Sequence, residues 1–135
     1  MLYSYDLVLP ANTAPAAPAH YDLKLTHGVV TRVEVQFPPG CAGLAHVYAR
    51  RALYQVWPTN PDADLSADGY VIAWNEYYEL FADPMFLTLF GYNLDDTYPH
   101  TVTWRIELTP RDVAERLKSN QSLISRIGQL LGVKG

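Results

Sequence analysis

The clearest pattern in the chain is strict alternation. From Val29 to Phe37, Val29, Thr31, Val33, Val35 and Phe37 fall on one face, and Val30, Arg32, Glu34 and Gln36 fall on the other. Period-two patterning over nine residues predicts a β-strand with one buried and one wetter face. Pro38-Pro39-Gly40 then stops it. Thr101 to Leu108 repeats the pattern, with Val102, Trp104, Ile106 and Leu108 inward and Thr101, Thr103, Arg105 and Glu107 outward. Weaker signals predict strands at Leu2–Leu9, Tyr21–Thr26, Ala45–Arg50, Ala52–Trp57, Tyr70–Trp74, Tyr77–Leu80 and Met85–Tyr92. Short strands with turn signals every 8–12 residues or so predict an antiparallel β-sandwich or barrel. The fold class expected is all-β, a jelly-roll-like antiparallel sandwich.

Three segments follow. Residues 1–20 read as an extended N-terminal arm, because Pro10, Pro15 and Pro18 break an uncharged Pro/Ala stretch. The arm crosses either its own surface or a neighbour's, and its apolar Leu7 and Leu9 are candidates for contact with another chain. Residues 21–108 form the sandwich. Residues 109–135 are helical. Thr109 is the expected N-cap, with Pro110 at the first helical position and Asp112 three residues after the cap. Ser119 to Ser122 offers a break or a second cap. Beyond it Leu123, Ile124, Ile127, Leu130 and Leu131 make an apolar stripe. A stripe on so short a helix needs cover, from its own sandwich or from a partner subunit; the partner is favoured, and Ile124, Ile127, Leu130 and Leu131 are assigned to a protein interface.

Composition narrows the classes. The 135 residues suit one domain. With 10 basic against 14 acidic side chains, the net charge of −4 argues against a nucleic-acid footprint. No apolar run approaches the roughly 20 residues that span a bilayer, and the first residues lack a basic, then apolar, leader pattern, so neither a membrane segment nor a signal peptide is expected. One cysteine, Cys41, leaves no intrachain disulfide and no Cys-rich zinc site. It is expected to be a small buried thiol.

Candidate chemistry changes the picture little. Asp62, Asp64 and Asp68 share a loop but lack the spacing of an EF-hand. His20, His27, His46 and His100 are scattered, and His100 is expected to orient the loop before the last strand. No G-x-S-x-G motif, phosphate-binding glycine loop or partner for the cysteine is present. Glu76 and Glu79 are paired carboxylates, but three residues apart in a strand they point to opposite faces. The expectation is a non-enzyme with no catalytic residue, cofactor or metal. The aromatics carry more. Trp57, Trp74, Tyr77, Tyr78, Tyr92 and Tyr98 can pack in a core, meet a partner or stack on sugar rings. Trp57, Tyr77 and Tyr78 are assigned to an interface, with a glycan as the alternative ligand.

The strand ended by Pro38-Pro39-Gly40, the loop Trp57-Pro58-Thr59-Asn60-Pro61, and Asn93-Leu94-Asp95-Asp96 before His100-Thr101-Val102 complete the pattern. In this layout the chain resembles small jelly-roll or β-sandwich structural proteins of tailed-phage or phage-like virions, over roughly residues 20–110. The resemblance implies a capsid decoration, minor capsid or adaptor subunit located in the virion. Its implied partners are copies of itself and a larger structural protein. The C-terminal helix departs from a bare decoration sandwich.

Overall fold

A computed structural model describes the backbone through residue 130 and side chains through residue 120. The strands are β1 (Leu2–Leu9), β2 (Ala19–Lys24), β3 (Gly28–Phe37), β4 (Ala45–Arg51), β5 (Tyr54–Trp57), β6 (Tyr70–Leu80), β7 (Phe86–Asn93) and β8 (His100–Thr109), followed by helix α1 (Arg111–Leu130). They form two antiparallel four-stranded sheets, ordered β1-β8-β3-β6 and β2-β7-β4-β5. Both sheets feed one core. Val33, Val35, Val102, Trp104 and Ile106 from the first meet Leu23, Val47, Ala49, Leu87 and Leu89 from the second, all buried. The result is a sandwich-like all-β fold in which both clean alternations bury the expected face from Val33 and Val102 onward.

The alternation of β3 fails at its start. Val30 faces Tyr78 and Leu108, whereas Arg32 faces Asn75 and Glu107. Thr31 therefore has no opposite number on β8 and lies against two residues, Glu76 and Tyr77, on β6. Such an irregularity shifts the phase of the side chains. Val30, expected outside, joins the core, and Thr31, expected inside, turns away and shares a 2.8 Å hydrogen bond with the Thr109 hydroxyl. β6 is also one continuous strand of 11 residues rather than two.

The N-terminal segment is more integrated than an arm. Residues 2–9 pair with His100–Glu107 of β8 as an edge strand. Leu7 and Leu9 face inward and are buried. Gly91 makes the room. A Cβ there would come within 2.5 Å of Leu9 Cδ2, so the absence of a side chain lets Leu9 pack onto β7. Past Pro10 the chain crosses one end of the sandwich, where the Asn12 amide donates to the Asp95 carbonyl and Thr13 bridges to Asn93.

At the other end of the chain, helix α1 starts one residue later than the sequence suggests. Thr109 is the last residue of β8, its hydroxyl engaged by Thr31 rather than capping. The first helical bond runs from the Ala114 amide to the Pro110 carbonyl, which makes Pro110 the capping position. Asp112 sits in the first turn, where the helix dipole favours a negative charge. The expected break at Ser119–Ser122 is absent, and the helix runs unbroken to Leu130. No helix among the described residues is long and apolar enough to cross a membrane.

Candidate functional site

The residues assigned to an interface go to different places. Leu7 and Leu9 are core residues of this chain and offer nothing to a partner. Trp57, on β5, is 2% exposed. Its indole meets Trp74 edge-on at 6.1 Å and Tyr78 at 5.9 Å. Tyr78 in turn lies under the Arg51 guanidinium, 5.8 Å from the ring centre. Trp57, Trp74 and Tyr78 therefore make one aromatic cluster within the chain, and the six aromatics, for which a sugar platform was the alternative to core and interface, are not brought together. Tyr98 stands exposed on a loop, and Tyr92 belongs to the opposite sheet. The side chains of Ile124, Ile127 and Leu130, and the whole of Leu131, lie outside the described residues.

Tyr77 is the assigned residue that reaches a concave surface. The irregular pairing at Thr31 lies on the floor of this groove, and α1 walls one side. The groove has a volume of about 480 Å³ and is floored by Thr31, Arg32, Asn75 and Glu76, with Leu117 and Lys118 on the helix side. Lys118 Nζ sits 4.3 Å over the Tyr77 ring, a cation–π contact. Arg32 donates to the Asn75 side-chain oxygen at 3.0 Å and to Glu34. Glu76 is held from the core side. Trp57 Nε1 donates to its Oε1 at 2.6 Å, Trp74 Nε1 at 3.4 Å, and the Tyr77 amide to Oε2 at 3.0 Å. A carboxylate taken up by three donors is a structural acceptor for two indoles. Glu79, the other member of the suspected carboxylate pair, stands opposite Val29 at the far side of the irregularity.

The outer face of the second sheet holds a constellation that sequence reasoning missed. Antiparallel register sets His46 opposite Tyr92, Tyr48 opposite Phe90, and Arg50 opposite Thr88. The rings stack in these pairs, at 4.6 Å for His46–Tyr92 and 5.2 Å for Tyr48–Phe90, and Arg50 lies over both Tyr48 and Phe90. Cross-strand pairs of this kind hold a sheet together. The signal was visible as alternation at 46, 48 and 50 and at 90 and 92, but pairing the two runs required the register.

Asp64 ties the 58–69 loop to this face. Val47 and Leu65 exchange backbone hydrogen bonds at 2.8 and 2.9 Å, extending the sheet past the end of the short strand β5. This sets the Asp64 carboxylate where His46 Nδ1 reaches it at 2.7 Å and the Tyr92 hydroxyl donates to it at 2.6 Å. Burial, then the hydrogen bond to Asp64 and its charge, push the Tyr92 phenol up to about 12. Among the described residues His46 is hydrogen-bonded to Asp64 and to no hydroxyl or thiol. Asp68, from the same loop, accepts from the Gly40 amide at 2.8 Å. Asp64 and Asp68 thus serve separate anchoring bonds, and no three potential metal-binding side chains converge among the described residues.

The loop before β8 is organised by Asp95. Its Oδ1 accepts from the Thr97 and Tyr98 amides at 2.9 and 3.1 Å, and His100 Nε2 meets Oδ2 at 2.8 Å. These donors hold the carboxyl below its ordinary range, the Thr97 amide most and the His100 ring next. His100 orients this loop as its position suggested. Cys41 is buried, and burial, with the charges of Asp68 and Asp95, raises its thiol above the usual value. No family model matches the sequence, and no curated protein matches it.

Proposed function

We propose that this chain is a jelly-roll structural subunit that works through protein–protein contacts, in a virion as a capsid decoration, minor capsid or adaptor protein. The observation that carries the reading is the strand order. Eight antiparallel strands in sheets β1-β8-β3-β6 and β2-β7-β4-β5, with successive strands changing sheet except at the β4–β5 hairpin, fit two wound Greek keys. Jelly rolls of this order serve in capsids and lectins, so the step from fold to virion is one of analogy. The distribution of surface chemistry supports the structural side. Asp64 with His46, Asp68, and Asp95 with His100 anchor loops, while large apolar residues stand out at edges and tips, Leu2 and Val8 on β1 and Leu53 and Tyr54 at the β4–β5 turn. Copies of this chain and a larger structural protein are the proposed partners. Solution mass by light scattering tests this. A defined oligomer, or co-assembly with a lattice protein, is expected; a chain monomeric at all concentrations that binds no structural protein overturns it.

A second reading, glycan attachment, rests on the half-buried Tyr48–Phe90 and His46–Tyr92 pairs beside Asp64, an aromatic face with polar neighbours. Retention on a polysaccharide that is lost in Tyr48→Ala would favour it over the structural reading.

A further inference from the structure

The β4–β5 turn and the groove beside it form a knob and a hole on the same end of the molecule. Leu53 is 92% exposed and Tyr54 80%, next to each other at the turn. Ala52 before them takes a positive φ of 54°, which throws the pair outward. The tip is held stiffly. Arg51 Nε donates to the Pro84 carbonyl at 3.1 Å, and a second nitrogen of the guanidinium donates to the Ala82 carbonyl. Those carbonyls belong to the loop that forms the hole. Lys24, Leu25, Asp83, Pro84, Met85 and Phe86 line a groove of about 480 Å³, largely apolar, closed on one side by the Leu25 amide donating to Met85. That volume lies in the range that takes a small organic ligand, with room for one aliphatic and one aromatic side chain.

Building on the structural reading above, we propose that the occupant of the groove is the Leu53–Tyr54 tip of a second copy, docked reciprocally about a two-fold axis. Each copy carries both elements, so each supplies the tip that fills the other's groove, as an isologous contact requires. The rim charges are self-complementary. Lys24 and Asp83 flank the groove, and neither is ion-paired among the described residues. A two-fold brings Lys24 of each copy toward Asp83 of the other and satisfies both charges twice. Because Arg51 already fixes tip to groove, little ordering is lost on docking. A contact of two tips and two loops is small, so the dimer is expected to be weak, with a dissociation constant on the order of 10–100 µM. Weak two-fold contacts of this kind gain strength when many subunits share one lattice.

Sedimentation velocity on the full chain from about 5 µM to 1 mM tests this, with circular dichroism to confirm the fold of each variant. Wild type is expected to pass from monomer to dimer across that range. Leu53→Asp with Tyr54→Ser, both at exposed positions, is expected to remain monomeric and folded. Lys24→Glu alone is expected to weaken the dimer at least about 10-fold, and Lys24→Glu with Asp83→Lys to restore it. Association that persists in the tip variant, or charge reversals whose combination restores nothing, overturns the docking surface and leaves self-assembly standing through another face. A wild type monomeric to 1 mM removes both the docking and the self-association on which it rests.

Discussion

Two tryptophans are buried almost equally, at the centre of the sandwich and at its corner, and they are held in opposite ways. Trp104, in the middle of β8, is 0% exposed between Tyr5 of β1 and Val35 of β3, and its Nε1 has no hydrogen-bond partner among the described residues. Trp57, at the end of β5, is 2% exposed, and its Nε1 donates to the Glu76 carboxylate. The centre relies on packing and tolerates an orphaned donor. The corner uses a charged acceptor, which brings a carboxylate beneath the groove walled by α1. Burial alone therefore does not say what a tryptophan contributes. At the centre the ring's apolar bulk dominates; at the corner the ring also positions Glu76.

The comparison can be broken most forcefully at the centre. Trp104→Ala is expected to lower unfolding free energy by about 3–5 kcal/mol, measured by urea denaturation, because a large cavity opens among residues that cannot collapse into it. Trp104→Phe is expected to cost markedly less, since it keeps most of the bulk and deletes the unpaired donor. At the corner, Glu76→Ala leaves the Trp57 donor buried without an acceptor and is expected to cost about 1–3 kcal/mol. Glu76→Gln retains an acceptor oxygen and should recover much of that. A double-mutant cycle with Trp57→Phe checks the mechanism: coupling near zero would mean that Glu76 acts through something other than the indole.

The smallest expected effect lies in the loop before β8 and reads out in pH. Asp95 is held below its ordinary carboxyl pKa by the Thr97 and Tyr98 amides and by His100. A depressed folded-state pKa means that the unfolded chain binds the proton more readily. The stabilisation is thus complete above the unfolded value, about 4, and is lost as pH falls below it through the folded value. The stability difference between wild type and Asp95→Asn is expected to shrink as pH falls below about 4. A difference independent of pH would assign the loop's order to its backbone bonds alone.

Much of this architecture was legible from side-chain period. A strand buried on one face must alternate, and the alternation of Val33–Phe37 and Val102–Leu108 placed their inner faces directly. The turn residues likewise marked most strand ends, because proline and glycine limit the backbone locally. Period could not reveal the shift at Thr31, which arises from register against two neighbours at once. The same register pairs His46 with Tyr92 and Tyr48 with Phe90, residues more than 40 positions apart. Leu7 and Leu9 looked like an arm's contact surface because their partner strand, β8, lies some ninety residues on. The length and composition of the chain determined an all-β domain of ordinary size with a helical tail. Tertiary structure decided which apolar residues are spent inside and which, like Leu53 and Tyr54, are left for something else, since burial depends on what the rest of the chain brings alongside.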